Sequence, residues 1–196
     1  MKNLLIAALV GLVLAQPAFA HNDPPGTTPI SKATELGVHR IERLVTLKKI
    51  DPTYQSALAA MRAERTTEGG ATYKIYGYVS PDANNQSSTI AMLSDKTGKV
   101  LSYTVGTTYQ PANPVAWPDK DALTLMEDAL HFVLEGWTAH PDVKPFYAGL
   151  ITINLNPARD SGGNLIALAN VTSDDDARTL SIYLKTDGTI LSYEIK

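Results

Sequence analysis

Glu35 and His39 stand four residues apart, and so do Glu127 and His131, with Glu135 four further on. At that spacing on a helix both side chains share one face. A carboxylate beside an imidazole can tune a general base or hold a metal ion. On a helical wheel both stripes fall opposite the apolar face, which points to solvated pairs instead. Neither has the His-Glu-x-x-His spacing of a zinc protease. Asp174-Asp175-Asp176 clusters carboxylates of the kind that bind Ca²⁺, but without an EF-hand pattern. Asp at a hairpin turn favours local hydrogen bonds, and that is the expected role. The chain has no Gly-x-Ser-x-Gly elbow, no phosphate-binding glycine loop and no dinucleotide fingerprint. No catalytic residues and no cofactor are read from it, and the expected answer to whether it is an enzyme is no.

The first residues indicate the compartment. Met1-Lys2-Asn3 is a positive start, Leu4 to Leu14 is apolar, and Ala18-Phe19-Ala20 is a small-x-small cleavage site. Residues 1–20 are therefore expected to be a secretory signal peptide, the apolar run being too short for a lasting span. Export to the periplasm follows, with a chain starting at His21 and no membrane span after cleavage. An N-terminal His offers an amine and an imidazole to copper. A periplasmic copper-binding protein using His21 and a second His, His39 or His131, is the alternative reading. The favoured expectation is no metal, with residues 21–30 a flexible tail, since His21-Asn22-Asp23-Pro24-Pro25-Gly26 is built like one.

Composition narrows the function further. The 196 residues carry 17 Lys and Arg against 20 Asp and Glu, and no Cys. The mild acidity argues against a nucleic-acid partner, which needs a concentrated basic face. Without Cys there are no disulfides, thiolate nucleophiles or thiolate metal ligands.

The positioning elements are spelled twice. Leu101-Ser102-Tyr103 returns as Leu191-Ser192-Tyr193, each after a turn glycine, Gly98 and Gly188. Gly69-Gly70 matches Gly162-Gly163, Tyr54 matches Tyr147, and Glu35 and His39 match Glu127 and His131. The pattern reads as a duplication. Leu36, Val38, Ile41, Leu44, Val45 and Leu47 have helical spacing, with Ser31 as a plausible N-cap. Leu125, Met126, Ala129, Leu130, Val133 and Trp137 repeat it, with Asp119 in the cap region. Residues 58–65 favour helix by propensity, but their partner, 149–159, is β-branched and alternating, so both are read as strands. Three further strands follow in each half: 72–79, 88–94 and 99–105, then 165–172, 179–185 and 189–195. Trp117 and Trp137 read as packing residues.

The expected fold is α+β: two repeated units, 31–109 and 119–196, each one N-terminal helix on a four-stranded antiparallel sheet, joined by a linker at 110–118. Strand alternation assigns helix-facing sets. One is Tyr73, Ile75, Ile90, Met92, Leu101, Tyr103 and Val105; the other is Ile166, Leu168, Leu180, Ile182, Leu191, Tyr193 and Ile195. The opposite faces carry Tyr76, Tyr78, Ala91 and Leu93, and Leu165, Ala167, Ala169, Val171 and Tyr183. Apolar faces of that kind mark contact. Either the two sheets cover each other or one stays open to a partner. Tyr76, Tyr78, Leu93 and Tyr183 are the candidate partner-binding residues.

The closing hairpin, Asp95, Thr97, Gly98, Lys99, Val100 and Leu101, resembles the Asp-x-x-Thr-Gly-Lys-Val-Leu pattern of PepSY-like domains of exported bacterial proteins. The second hairpin keeps Gly188, Ile190 and Leu191 but has Lys185-Thr186-Asp187 before the glycine, a looser match. The resemblance covers nearly all the chain after the leader and implies a cystatin-like α+β fold. It also implies a non-enzymatic periplasmic binding or interaction protein, peptidase-inhibitor-like or chaperone-like, whose partner is a protein or peptide of the cell envelope. It carries no catalytic residues over.

Overall fold

The computed structural model describes residues 30–79, 88–106, 117, 120–136, 140–174 and 176–196. Helix α1 (Ile30–Thr46) leads to the short α2 (Thr53–Ser56) and strand β1 (Leu58–Arg65). A 3-10 turn, Glu68–Gly70, precedes β2 (Tyr73–Val79), β3 (Ser88–Ser94) and β4 (Val100–Val105). Helix α3 (Lys120–Gly136), the short α4 (Lys144–Ala148) and β5 (Leu150–Arg159) follow. The chain closes with β6 (Leu165–Ser173), β7 (Thr179–Lys185) and β8 (Ile190–Ile195). Residues 58–65 are a strand despite their helical propensity, because β1 is paired on both sides, with β2 and with β5.

That second pairing corrects the expected architecture. The strands form one antiparallel sheet in the order β4-β3-β2-β1-β5-β6-β7-β8, not two sheets in two separate helix-plus-four-strand units. Met61 lies opposite Leu155 and Ala63 opposite Ile153 across the β1·β5 join. The physical reason is edge satisfaction. A β1 edge and a β5 edge would each expose unpaired N–H and C=O groups, and pairing them removes both. The idea that two sheets might cover each other falls with the same observation. The expected linker contributes Trp117, which is buried and donates its backbone N–H to the Leu58 carbonyl at 3.1 Å. Trp137 and Asp119 lie outside the described residues.

Helices α1 and α3 pack on one face of this sheet and against each other. Their cores merge: Ile41, Met61, Ile75 and Ile90 share one buried cluster with Met126, Leu130, Ile153 and Ile182. Two turn glycines let the helices lie close. Gly98 (φ +74°) sits under Leu36, whose Cδ1 a Cβ would meet at 2.2 Å. Gly188 (φ +81°) sits under α3, 3.0 Å from where a Cβ would meet the Leu125 carbonyl oxygen. In both hairpins an Asp closes the turn: Asp95 Oδ1 accepts from the Thr97 N–H at 2.8 Å, and Asp187 Oδ1 from the Thr189 N–H at 2.9 Å.

The helix-facing set needs three corrections. In β6 it is Ala167, Ala169 and Val171, paired across from Leu184, Ile182 and Leu180, so Ile166 and Leu168 face the other way. Size explains the reversal, since alanines sit where the layers meet and the larger side chains take the other face. Leu101, Tyr103 and Val105 in β4, and Leu191 and Tyr193 in β8, are exposed. These are the two outermost strands of the sheet, beyond the helices' cover. Ser31 does not cap α1, which already includes Ile30; its hydroxyl is engaged elsewhere.

Candidate functional site

Two regions gather polar side chains, one on each face of the sheet. The first is the seam between α1 and α3. Ser31 Oγ lies 3.0 Å from His131 Nδ1, joining residues 100 apart in the chain. The other ring nitrogen, Nε2, lies 3.3 Å from Glu135 Oε1, one helical turn further along α3. That approach is a charge contact and not a hydrogen bond; with the ring proton on Nε2, Nδ1 is left to accept from the Ser31 hydroxyl. Ser31 is 1% exposed and His131 4%. Ser31 also sits in the first turn of α1, where backbone N–H groups have no carbonyl four residues back within the helix.

One turn along each helix, the same antiparallel register sets Glu35 against Glu127. Both are buried, Glu127 at 1% exposure. Neither carboxylate oxygen of Glu127 has a hydrogen-bond partner. Burial pushes its carboxyl well above the usual range, and the charges of Glu35 and Asp128 push it further. Glu35 is also raised, first by burial and then by Asp128, while Lys32, its Nζ 2.6 Å away, and His39 pull it back. The expectation of a solvated face is therefore corrected for Glu35, Glu127 and His131. A single helical wheel places them opposite the apolar stripe, but the facing helix closes over that polar strip. His39 does stay exposed and pairs with Glu42 at 3.2 Å, not with Glu35.

The second region is a groove of about 430 Å³ on the opposite sheet face. It lies over β1 to β4, lined among others by Arg62, Glu64, Lys74, Tyr76, Leu93 and Thr104. Arg62 on β1 is opposite Tyr76 on β2, and Tyr76 opposite Ala91 on β3, so alternation places them on one face. Glu64 holds two of them: it accepts from Arg62 at 2.7 Å and from the Tyr76 hydroxyl at 3.0 Å. Partial burial and that bond to Glu64 raise the Tyr76 hydroxyl's pKa. Lys74 donates to Glu68 at 2.7 Å and lies 5.6 Å from the centre of the Tyr76 ring.

Of the expected partner-binding residues, Tyr76 and Leu93 meet in this groove. Tyr78 is buried in a small cluster with Ala59 and Ala60 and offers no surface, while Tyr183 lies on β7 in the other half of the sheet and bonds Glu194 at 2.5 Å. His21 and Asp175 lie outside the described residues. Asp176 is committed to its turn, accepting from the Arg178 backbone and side chain, which holds its carboxyl down at about 2. Among the described residues no group of three or more His, Asp or Glu is arranged to hold a metal ion. No helix among them is long and apolar enough to cross a membrane.

The seam bears on the expectation that the chain holds no catalytic residues. The fold brings a hydroxyl, an imidazole and a carboxylate together, and the inference to a non-enzymatic binding protein no longer follows. No family model and no curated protein matches the chain. The resemblance to PepSY-like domains thus rests on the hairpin residues alone, and one continuous sheet replaces the repeated units it implied. Among solved structures, the chain is similar to an acyl-CoA thioesterase II, TesB2, from Mycobacterium marinum. The identity is 9%, the TM-score 0.34, and the match covers 83% of this chain and 88% of that one. A TM-score that low carries neither fold detail nor function across.

Proposed function

We propose that the α1–α3 seam is a hydrolytic centre for acyl transfer, with Ser31 as nucleophile, His131 as base and Glu135 as the residue that orients the imidazole. The observation that carries it is the 3.0 Å approach of Ser31 Oγ to His131 Nδ1, with Glu135 Oε1 3.3 Å from the far ring nitrogen. Ser31 Oγ attacks the acyl carbonyl and passes its proton to Nδ1. The carbonyl oxygen takes the negative charge, and the amides of the first turn of α1 face that charge with the positive end of the helix. When the adduct collapses, the leaving group departs with the proton from Nδ1. A water then attacks the acyl carbon and gives its proton to Nδ1, and that proton passes to Ser31 Oγ as the bond to the acid breaks.

Ser31 is closed in this state, so a substrate enters only when α1 parts locally from α3. The leader expected at residues 1–20 supports a periplasmic setting for this chemistry as part of the same proposal. The test is labelling of the full chain with a fluorophosphonate between about pH 6 and pH 9, where a His base is effective. The expected result is one adduct on Ser31, lost in Ser31→Ala and His131→Gln variants whose circular dichroism is unchanged. Folded protein in which Ser31 stays unmodified across that range, while other serines react, would overturn the reading.

A further inference from the structure

Strand β4 ends the sheet on one side, and among the described residues no strand pairs with its outer edge. Gly106, just past its end, donates its N–H to the Thr89 carbonyl of β3 at 2.7 Å. Backbone groups turn to alternate edges along a strand, so Ser102 and Thr104 turn towards β3 as Gly106 does. The N–H and C=O groups of Tyr103 and Val105 therefore point to the open edge. Their side chains lie across from Met92 and Ile90, on the helix-facing side of the sheet. Both are exposed. One short stretch thus combines unpaired backbone groups with uncovered apolar side chains, and a further strand would satisfy both. Residues 100–105, Val-Leu-Ser-Tyr-Thr-Val, hold no charge and no proline, the groups that keep edge strands of separate copies apart. Lys96 and Lys99 fall before the strand, not in it. The other outermost strand, β8, is guarded. Glu194 lies in it and pairs with Lys196 just beyond, and the His140 ring meets Tyr193 edge-on.

We propose that β4 pairs edge to edge, antiparallel, with β4 of a second copy of this chain, about a two-fold axis at Thr104. With that centre, Tyr103 of each copy lies opposite Val105 of the other. These are the residues whose backbone groups point outwards, so each pair exchanges N–H and C=O bonds. An aromatic side chain then meets a β-branched one twice on the helix side, and Thr104 meets Thr104 on the other, pairings that stabilise sheets. The register also stops short of Leu101, where β4 slips against β3: Leu93 pairs with Ser102 but Ser94 with Val100. With no charge in the strand, two identical edges meet without repulsion. Such a contact is isologous and closes at two copies, whereas β4 on β8 would propagate. The sheet already contains a join of this kind, since β1 and β5 meet antiparallel with Met61 opposite Leu155. One strand pair buries less than a permanent dimer needs, so the dimer is reversible, with a Kd on the order of 10–500 µM.

The experiment is sedimentation velocity of the full chain from about 1 µM to about 1 mM, a range that brackets this Kd. The mean mass is expected to rise from one chain towards two and no further. Over the same range, amide hydrogen exchange should slow at Tyr103 and Val105, while Thr104, whose N–H faces β3, changes little. Tyr103→Pro removes an outward N–H that β3 does not use, a place where an edge strand tolerates proline. It should weaken association at least about tenfold, and so should Val105→Lys, which puts a charge on the edge. Tyr193→Pro, at the matching place in β8, should leave association unchanged. The chain has no Cys, so Thr104→Cys carries a single thiol. Across the axis the two Cα atoms would be about 4.5 Å apart, within disulfide reach. Mild oxidation should therefore link Thr104→Cys into a covalent dimer and leave Ser102→Cys, two residues along the same edge, unlinked. The proposal is overturned if the chain stays monomeric to about 1 mM, a concentration above the Kd range, or grows past two copies. It is equally overturned if both β4 variants associate as the parent does, if Tyr193→Pro abolishes association, or if Ser102→Cys links in place of Thr104→Cys. Exchange at Tyr103 and Val105 that ignores concentration would overturn it too.

Discussion

Glu35 and Glu127 lie on the helix side of the sheet, while Glu64 and Glu68 lie on the other. All four are glutamates near other charged groups, yet their surroundings are opposite. Glu64 and Glu68 each have a cation at 2.7 Å and partial access to water. Glu127 has neither, and the charges that act on it are those of two further carboxylates, Glu35 and Asp128. A carboxylate taken out of water without a partner becomes a proton-binding group. Sheet face and helix contact thus decide the behaviour of one residue type. The seam holds a carboxyl that favours its proton, and the groove is a charge-balanced surface.

The largest expected effect follows from Glu127. Its folded-state pKa is raised well above the ordinary 4.5, so the folded state binds a proton that the unfolded chain releases. Its stabilising contribution is therefore full below about pH 4.5 and is lost as pH rises through the folded value. Glu35 adds to the same trend. Stability set by these groups should fall as pH rises from about 4.5 towards neutrality. Glu127→Met removes the buried carboxyl at similar volume and is expected to stabilise the fold at neutral pH by about 1–4 kcal/mol. The gain should shrink on acidification. Calorimetric melting at neutral pH and near pH 4.5 checks it; a lower Tm for the variant at neutral pH would show that the carboxyl is compensated.

The same truncation should separate the two regions more finely. Ser31→Ala removes a hydroxyl from the dry seam and strips His131 Nδ1 of its 3.0 Å partner. A loss of about 1–3 kcal/mol is expected, the usual cost of a buried polar atom left unpaired. Thr104→Ala removes a hydroxyl from exposed β4 at the groove and should stay within about 0.5 kcal/mol of the parent. Urea unfolding of both variants gives the contrast, and equal losses would erase it.

Much of the groove's scaffold was legible in the sequence, and little of the seam was. Alternation and the turn glycines mark β2, β3, β7 and β8 because strand period and hairpin chemistry are local signals. Residues 58–65 became readable only through comparison with 149–159, since Ala, Met, Arg and Glu favour helix unless a sheet pairs them on both sides. The phase of β6 was missed because hydrophobicity ranks Ile166 and Leu168 above Ala167 and Ala169. Packing against a close helix prefers the small residues. The β1·β5 join left no local signature, because a buried strand edge and a free one share the same side-chain alternation. Ser31 and His131 meet across 100 residues, and no spacing rule reaches that far. A usable signal existed: Ser31 and Glu35 are four apart on α1, as are Glu127, His131 and Glu135 on α3. Two matching stripes on two helices of one chain suit helices that pack on each other.

The smallest effect is the sharpest test of the groove as a balanced surface. Lys74 and Glu68 make a close ion pair, but their side chains are 25% and 56% exposed. Lys74 is also held by the Tyr76 ring, and the bond to Glu68 comes first among the causes that raise its pKa. At such exposure water screens the attraction, and ordering two long side chains offsets part of what remains. A double-mutant cycle of Lys74→Met and Glu68→Gln is expected to give a coupling below about 1 kcal/mol. The coupling should diminish at high salt, where charges this exposed are screened. A coupling of several kcal/mol that survives salt would mean the pair is desolvated as the seam is. The groove and the seam would then be electrostatically alike, and the contrast between the two faces of the sheet would have to be given up.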